Sequence, residues 1–172
     1  AKAAGDKSSR PADITVAAGS VVTAGGGSTL LFKADTLSVD SQVSTVSSPT
    51  GTIQFQTLSP DRDITLGSGG SGLSLDQKFL NSLTAAALSF GGPGYAGTLS
   101  NTEALAPAKA GNISFQTTGK AKVGAAITAS GGISLTGDKV EIHAPLNTAA
   151  SGNDGGVVIV ATTGVVDILP AG

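Results

Sequence analysis

Asp61, Arg62 and Asp63 form the densest charged group in the chain. Two carboxylates flanking a guanidinium could serve cation binding and proton transfer if other segments bring further acids beside them. By themselves they read as a solvated turn or a salt-linked corner. His143 is the only histidine, so no histidine metal cluster can form. It follows Val140 and Ile142 in a pattern that puts Lys139, Glu141 and His143 on the outer face of a strand. Gly67-Ser68-Gly69-Gly70-Ser71-Gly72 does not have the spacing of a serine nucleophile elbow. Gly119-Lys120 lacks the upstream glycine and the following hydroxyl of a phosphate loop, and no calcium-binding nonapeptide repeat is found. Asn112-Ile113-Ser114 fits a glycosylation triplet but begins a strand. No catalytic residue, metal ligand or cofactor is therefore expected.

The elements that must position such residues are short and repeated. Leu30 to Thr57 is largely written again as Ile133 to Ala161: Leu30, Phe32, Leu37, Val39 and Val43 fall on Ile133, Leu135, Val140, Ile142 and Leu146 at one offset of 103. With one extra loop residue, Ile53 and Phe55 fall on Val157 and Ile159. A third echo sets GTIQFQT at Gly51 against GNISFQT at Gly111, an offset of 60. Apolar identity recurs while the residues between change freely, which is the mark of an inward-facing strand pattern in a repeat protein. If each level takes about 20 residues, 60 is about three levels and 103 about five. At strand spacing, about eight levels would make a rod on the order of 40 Å long.

Composition agrees. An apolar fraction of 40% can supply a core, yet there is no Trp, Met or Cys, and only one Tyr and five Phe. Small and β-branched side chains must pack in thin, regular layers, which suits stacked strands. Glycine precedes short apolar strands in GTIQF, GNISF, GGISL and GGVVIV, so it marks corners. The expected fold is all-β, a single right-handed parallel β-helical domain over residues 12–172, a fragment of a longer repeat protein, with residues 1–11 a flexible end or a piece of a preceding segment. A net charge of −2 and six scattered aromatics exclude nucleic acid as a partner. No apolar run reaches membrane-spanning length, so the chain is not expected to be membrane-embedded, and residues 1–10 have no signal-peptide apolar region.

Strict period two would put Phe32 and Leu37 on opposite faces, so a bend at Ala34 and Asp35 must restore Leu37 to the inside, as Gly137 and Asp138 do in the second copy. Lys33, Asp35, Asp40 and Gln42 are expected at corners or facing solvent. One helix is expected around residues 76–83. Asp76 can cap Gln77 to Leu83, Phe79, Leu80 and Leu83 share a face, and Leu75 can close on Leu80 as a hydrophobic staple. Ala87 to Phe90 resumes strand, GGPGYAG reads as a turn, and Leu99 to Ala110 reads as a looser excursion. Loops at 67–72, 91–111 and 149–155 are expected to vary freely. Val165 to Leu169 is apolar and is expected to be a sticky strand edge.

DITLGSGGSGLSLDQKFLNSLTAAALSFG, Asp63 to Gly91, resembles a segment that recurs in filamentous-haemagglutinin-like exoproteins of Gram-negative bacteria. It has a strand ending in Leu-Gly, a glycine-rich loop, Leu-Ser-Leu, a helix with an acidic start, and a small-residue run closing on a strand and glycine. LLFKADTLSVDSQV and ISLTGDKVEIHAPL look like the same proteins' generic repeats, so the resemblance covers about residues 13–169. It implies a right-handed parallel β-helix from a very long adhesin or toxin-bearing shaft, exported through an outer-membrane secretion partner. The family's Asn-rich secretion motif is not found, so an internal piece of shaft is implied. Its partner would be a host or bacterial cell-surface receptor or glycan, and its location secreted or cell-surface.

The expected role is therefore structural and adhesive, without catalysis. Contacts would come from the loops or the helix, with Asp76, Gln77, Lys78 and Tyr95 as the binding residues. The alternative is a carbohydrate-active β-helix, lyase-like or hydrolase-like, in which Asp35 or Asp40 from a neighbouring level joins Asp61, Arg62 and Asp63. Because Asp35 recurs as Asp138, it also reads as a corner residue.

Overall fold

Strands of three to twelve residues, alternating inward apolar with outward polar side chains, make up most of this chain. A computed structural model describes residues 13–39, 45–149 and 155–169. It opens with β1 (Asp13–Val16), β2 (Val21–Thr23), β3 (Thr29–Lys33), β4 (Thr36–Val39) and the long β5 (Thr45–Gln56). β6 (Ile64–Leu66) and β7 (Leu73–Leu75) lead into the helix α1 (Gln77–Ser82) and then β8 (Thr84–Gly91). β9 (Leu99–Asn101), β10 (Ala110–Gln116), β11 (Lys120–Val123), β12 (Ile127–Ala129) and β13 (Ile133–Gly137) follow. β14 (Lys139–Ile142), β15 (Leu146–Thr148), β16 (Val157–Ala161) and β17 (Val166–Ile168) close the described chain.

The protein is all-β with parallel sheets. A seven-stranded sheet runs β16-β13-β10-β8-β5-β2, with β3 also on β5. A six-stranded sheet runs β17-β14-β11-β9-β6-β7, and two pairs, β1-β4 and β12-β15, flank them. The repeated apolar positions fall in register: Leu30, Ile53, Leu88, Ile113, Ile133 and Val157 lie side by side across the larger sheet. Two positions along, Phe32, Phe55, Phe90, Phe115, Leu135 and Ile159 do the same. Apolar residues from all four sheets join in one core.

This register corrects the count of levels. Successive partners are 23, 35, 25 and 20 residues apart, so the offset of 103 is four steps and the offset of 60 is two. The expected level of about 20 residues fails because the step from β5 to β8 contains β7 and α1. Leu99 to Ala110 is likewise more regular than expected. β9 sits between β6 and β11, and Leu105 bridges to Ile127.

The helix forms as expected. The Asp76 carboxylate accepts from the N–H groups of Lys78 and Phe79 at 2.8 and 3.1 Å, and Phe79, Leu80 and Leu83 are buried. A cap and an apolar face make so short a helix stable in place, since isolated helices of this length do not persist. The Phe79 ring meets Phe55 edge-on at 6.0 Å, so α1 closes the core at the level of β5.

The glycine loop at 67–72 is not free to vary. β7 runs parallel to β6 with Leu73 opposite Ile64, so the chain crosses back within the loop. Parallel neighbours ordinarily need a dozen or more connecting residues. Here Gly67 and Gly69 adopt φ of +111° and +91°, and a Cβ on Gly72 would stand 1.9 Å from the Asp63 carbonyl oxygen. Only glycine lets the two backbones approach so closely.

At the far end, β16 and β17 are edge strands. Val166 and Ile168 pair in register with the buried Val140 and Ile142, yet they are 40% and 73% exposed. Asp40, Gln42 and Val43, the segment 1–12 and most of the 149–155 loop lie outside the described residues.

Candidate functional site

The four residues expected to bind a partner stand in four different situations. Asp76 is exposed but serves as the helix cap. The Gln77 side-chain amide donates to the Ala104 carbonyl and, at 3.3 Å, to Asn81, tying the helix to the following segment. Lys78 points outward and makes no ion pair among the described residues. Beside the helix, between β4 and β7, lies a cleft of about 220 Å³ lined by Leu37, Ser38, Val39, Ser74, Leu75, Asp76 and Phe79.

Tyr95, expected to offer a contact from an open turn, is instead 4% exposed. Its hydroxyl donates to the Arg62 carbonyl at 2.9 Å and the Thr98 carbonyl at 3.1 Å. Burial first, and the Asp63 charge second, hold the phenol well above the ordinary tyrosine range. The ring locks the turn after β8 onto the corner before β6.

The aspartates of this fold accept hydrogen bonds from later segments of the chain, Asp35 and Asp63 from main-chain N–H groups. Asp35 accepts from the Leu58 and Ser59 N–H groups at 3.1 and 2.9 Å and from the Ser59 hydroxyl at 3.1 Å. Asp63 accepts from the Thr98 N–H at 2.7 Å. Asp13 and Asp138 accept from the hydroxyls of Thr36 and Thr163. In each case the donor lies one strand level further along the chain, and at Asp35 and Asp63 the carboxylate satisfies main-chain N–H groups that would otherwise lack partners. A lyase-like site needs Asp35 or Asp40 to converge with Asp61, Arg62 and Asp63; Asp35 and Asp63 are engaged in this way, and Asp40 lies outside the described residues. Among the described residues no group of three His, Cys, Asp or Glu could hold a metal ion.

The outer face of the six-stranded sheet gathers charge that lies dispersed in the sequence. Ser100 pairs with Lys122, Lys122 with Glu141 and Glu141 with Asp167, while Lys120 lies beside Lys139. Glu141 meets Lys139 at 2.9 Å and Lys120 at 3.4 Å, and Lys139 also meets Asp167 at 2.9 Å. Hydrogen bonds to Asp167 first and Glu141 second push Lys139 up to about 12, and the bond from Lys139 chiefly holds Glu141 below the usual carboxylate range. His143 Nε2 stands 3.9 Å from Glu141 at the edge of this group. Between Thr98–Thr102 and Lys120–Gly124 the face is hollowed by a groove of about 490 Å³.

Asn101 went unnoticed in the sequence. It occupies an inward position, 1% exposed, in register with Leu66 and Val123. Its amide nitrogen donates to the Ala125 carbonyl at 2.7 Å and its oxygen accepts from the Gly124 N–H at 3.1 Å, which turns the chain after β11. Nothing in a Leu-Ser-Asn strand distinguishes this asparagine from a surface residue. No helix among the described residues is long and apolar enough to cross a membrane.

Comparison with known proteins adds no assignment: no family model, curated protein or solved structure matches the chain.

Proposed function

We propose that the chain is a stretch of right-handed parallel β-helix from a long exoprotein of the filamentous-haemagglutinin-like kind, secreted or surface-bound in a Gram-negative bacterium. It extends a binding tip from the cell or takes part in attachment itself. The parent protein would cross the outer membrane through a dedicated secretion partner, and its target would be a receptor or glycan on a host or bacterial cell. The observation that carries this reading is the parallel register of Leu30, Ile53, Leu88, Ile113, Ile133 and Val157, one residue per level across the larger sheet. Stacking of this kind satisfies the backbone between levels and leaves each level's outward residues free to differ. The corner aspartates support the same reading, because carboxylates that hold one bend to the next belong to a scaffold.

The test is incubation of the purified chain with a glycan and host-cell panel, with and without calcium, scoring both retention and release of unsaturated sugars. Retention without product is expected. Calcium-dependent product that disappears in Arg62→Ala would overturn the reading in favour of a lyase.

A further inference from the structure

We infer that the groove on the outer face of the six-stranded sheet binds an acidic saccharide, with Lys122 as the residue that grips its charge. This deepens the adhesive reading and rests on it only for its biological use. The groove, about 490 Å³, falls within the range of about 300–1,000 Å³ usual for small-ligand sites. Its lining is Thr98, Ser100, Asn101, Thr102, Lys120, Lys122 and Gly124, with no carboxylate among them.

The charges explain why Lys122 is available. Three lysines, at 120, 122 and 139, share this face with Glu141 and Asp167. The two acids hold Lys120 and Lys139 at 2.9 to 3.4 Å. Lys122 makes no ion pair among the described residues, so one cation is left facing the groove. Glu103, the nearest acid in sequence to the groove's other wall, turns its carboxylate to the Ser68 N–H and hydroxyl at 3.1 and 2.7 Å.

The remaining polar groups suit sugar hydroxyls. The side-chain hydroxyls of Thr98 and Ser100 have no partner among the described residues, whereas the Asn101 amide and the Thr102 hydroxyl are committed to the main chain. Free hydroxyls beside a fixed and an unfixed ammonium match a ring carrying both hydroxyls and a carboxylate or sulfate. No aromatic side chain lines the groove on which a nucleobase could stack.

Titration calorimetry with oligogalacturonate, a sulfated oligosaccharide of similar length and a neutral dextran oligomer tests this, using the whole chain, Lys122→Ala, Ser100→Ala and the exposed Lys33→Ala. Binding of one or both acidic sugars, weakened by added salt and reduced about tenfold or more in Lys122→Ala, is expected; Lys33→Ala should bind as the unaltered chain does. The carboxylated and sulfated arms identify which anion is preferred. Lys122 is exposed, so circular dichroism of the variant should be unchanged and the loss attributable to the groove. Failure of both acidic sugars to bind, or equal binding by Lys122→Ala, overturns the inference. Cell retention that survives Lys122→Ala while no acidic sugar binds would sink the groove and leave the adhesive reading standing. Groove binding without retention on any cell would do the reverse.

Discussion

Phe55 and Phe90 stack ring on ring at 5.6 Å with their planes 11° apart, although one stands on β5 and the other on β8 beyond the helix. Phe32 stacks on the other side of Phe55 at 5.3 Å, and Phe115 meets Phe90 edge-on at 5.5 Å. In a chain with five phenylalanines, four thus lie in one file of in-register positions, and the fifth, Phe79, seals it from the helix. The few bulky side chains are concentrated where a single column needs width.

Phe55 is central to that file, wholly buried and in contact with three other rings. Phe55→Ala should cost about 3–5 kcal/mol, read as a lower urea midpoint at unchanged slope. Phe32→Ala, at 7% exposure and with one stacked neighbour, should cost less. Equal losses at both positions would mean that the stack adds nothing to burial.

Gly72→Ala should be among the most damaging single-methyl changes. Its Cβ would stand 1.9 Å from the Asp63 carbonyl oxygen, the acceptor of the Leu73 N–H, so β6 and β7 would have to separate. A loss of about 3 kcal/mol or more is expected by equilibrium unfolding. Gly25→Ala, with nothing within 4 Å, should stay within about 0.5 kcal/mol. A neutral Gly72→Ala would show that the crossover loop has room.

Much of this fold was readable from alternation alone. Leu30, Phe32, Leu37 and Val39 recur as Ile133, Leu135, Val140 and Ile142 because inward positions tolerate little else, and Asp76 with Phe79, Leu80 and Leu83 shows a helix by local rules. The number of levels was not readable, since an offset counts levels only if each has the same length, and β7 with α1 lengthens one of them. The loop at 67–72 looked open because composition does not tell a slack turn from a jammed one. Tyr95 looked available because the carbonyl that takes its hydroxyl belongs to Arg62, on a different level. The groove is built from Ser100 and Lys122, which strand pairing alone brings together.

Asp35→Ala should remove the acceptor of the Leu58 and Ser59 N–H groups and cost about 1–3 kcal/mol. Asp35→Asn keeps an oxygen in place and should lose less. Asp61→Ala, at an exposed corner, should fall within about 0.5 kcal/mol. These differences would appear in thermal or urea unfolding, and an Asp61 effect as large as that of Asp35 would mean that Asp61 too holds the fold together and is not a free corner carboxylate.

Tyr95 is the only tyrosine, so phenolate absorbance reports it alone. Its folded pKa is raised, chiefly by burial, so its contribution to stability is fully present below the ordinary value of about 10 and is lost as pH rises toward the folded one. In an alkaline titration the phenol should stay silent where free tyrosine ionises and then ionise together with loss of the β-sheet circular dichroism. Tyr95→Phe should cost about 1 kcal/mol at neutral pH through the lost hydrogen bonds, and should remove this part of the alkaline destabilisation. Phenolate appearing near pH 10 with the sheets intact would mean that water reaches the hydroxyl, and Tyr95 would return to the set of exposed contact residues.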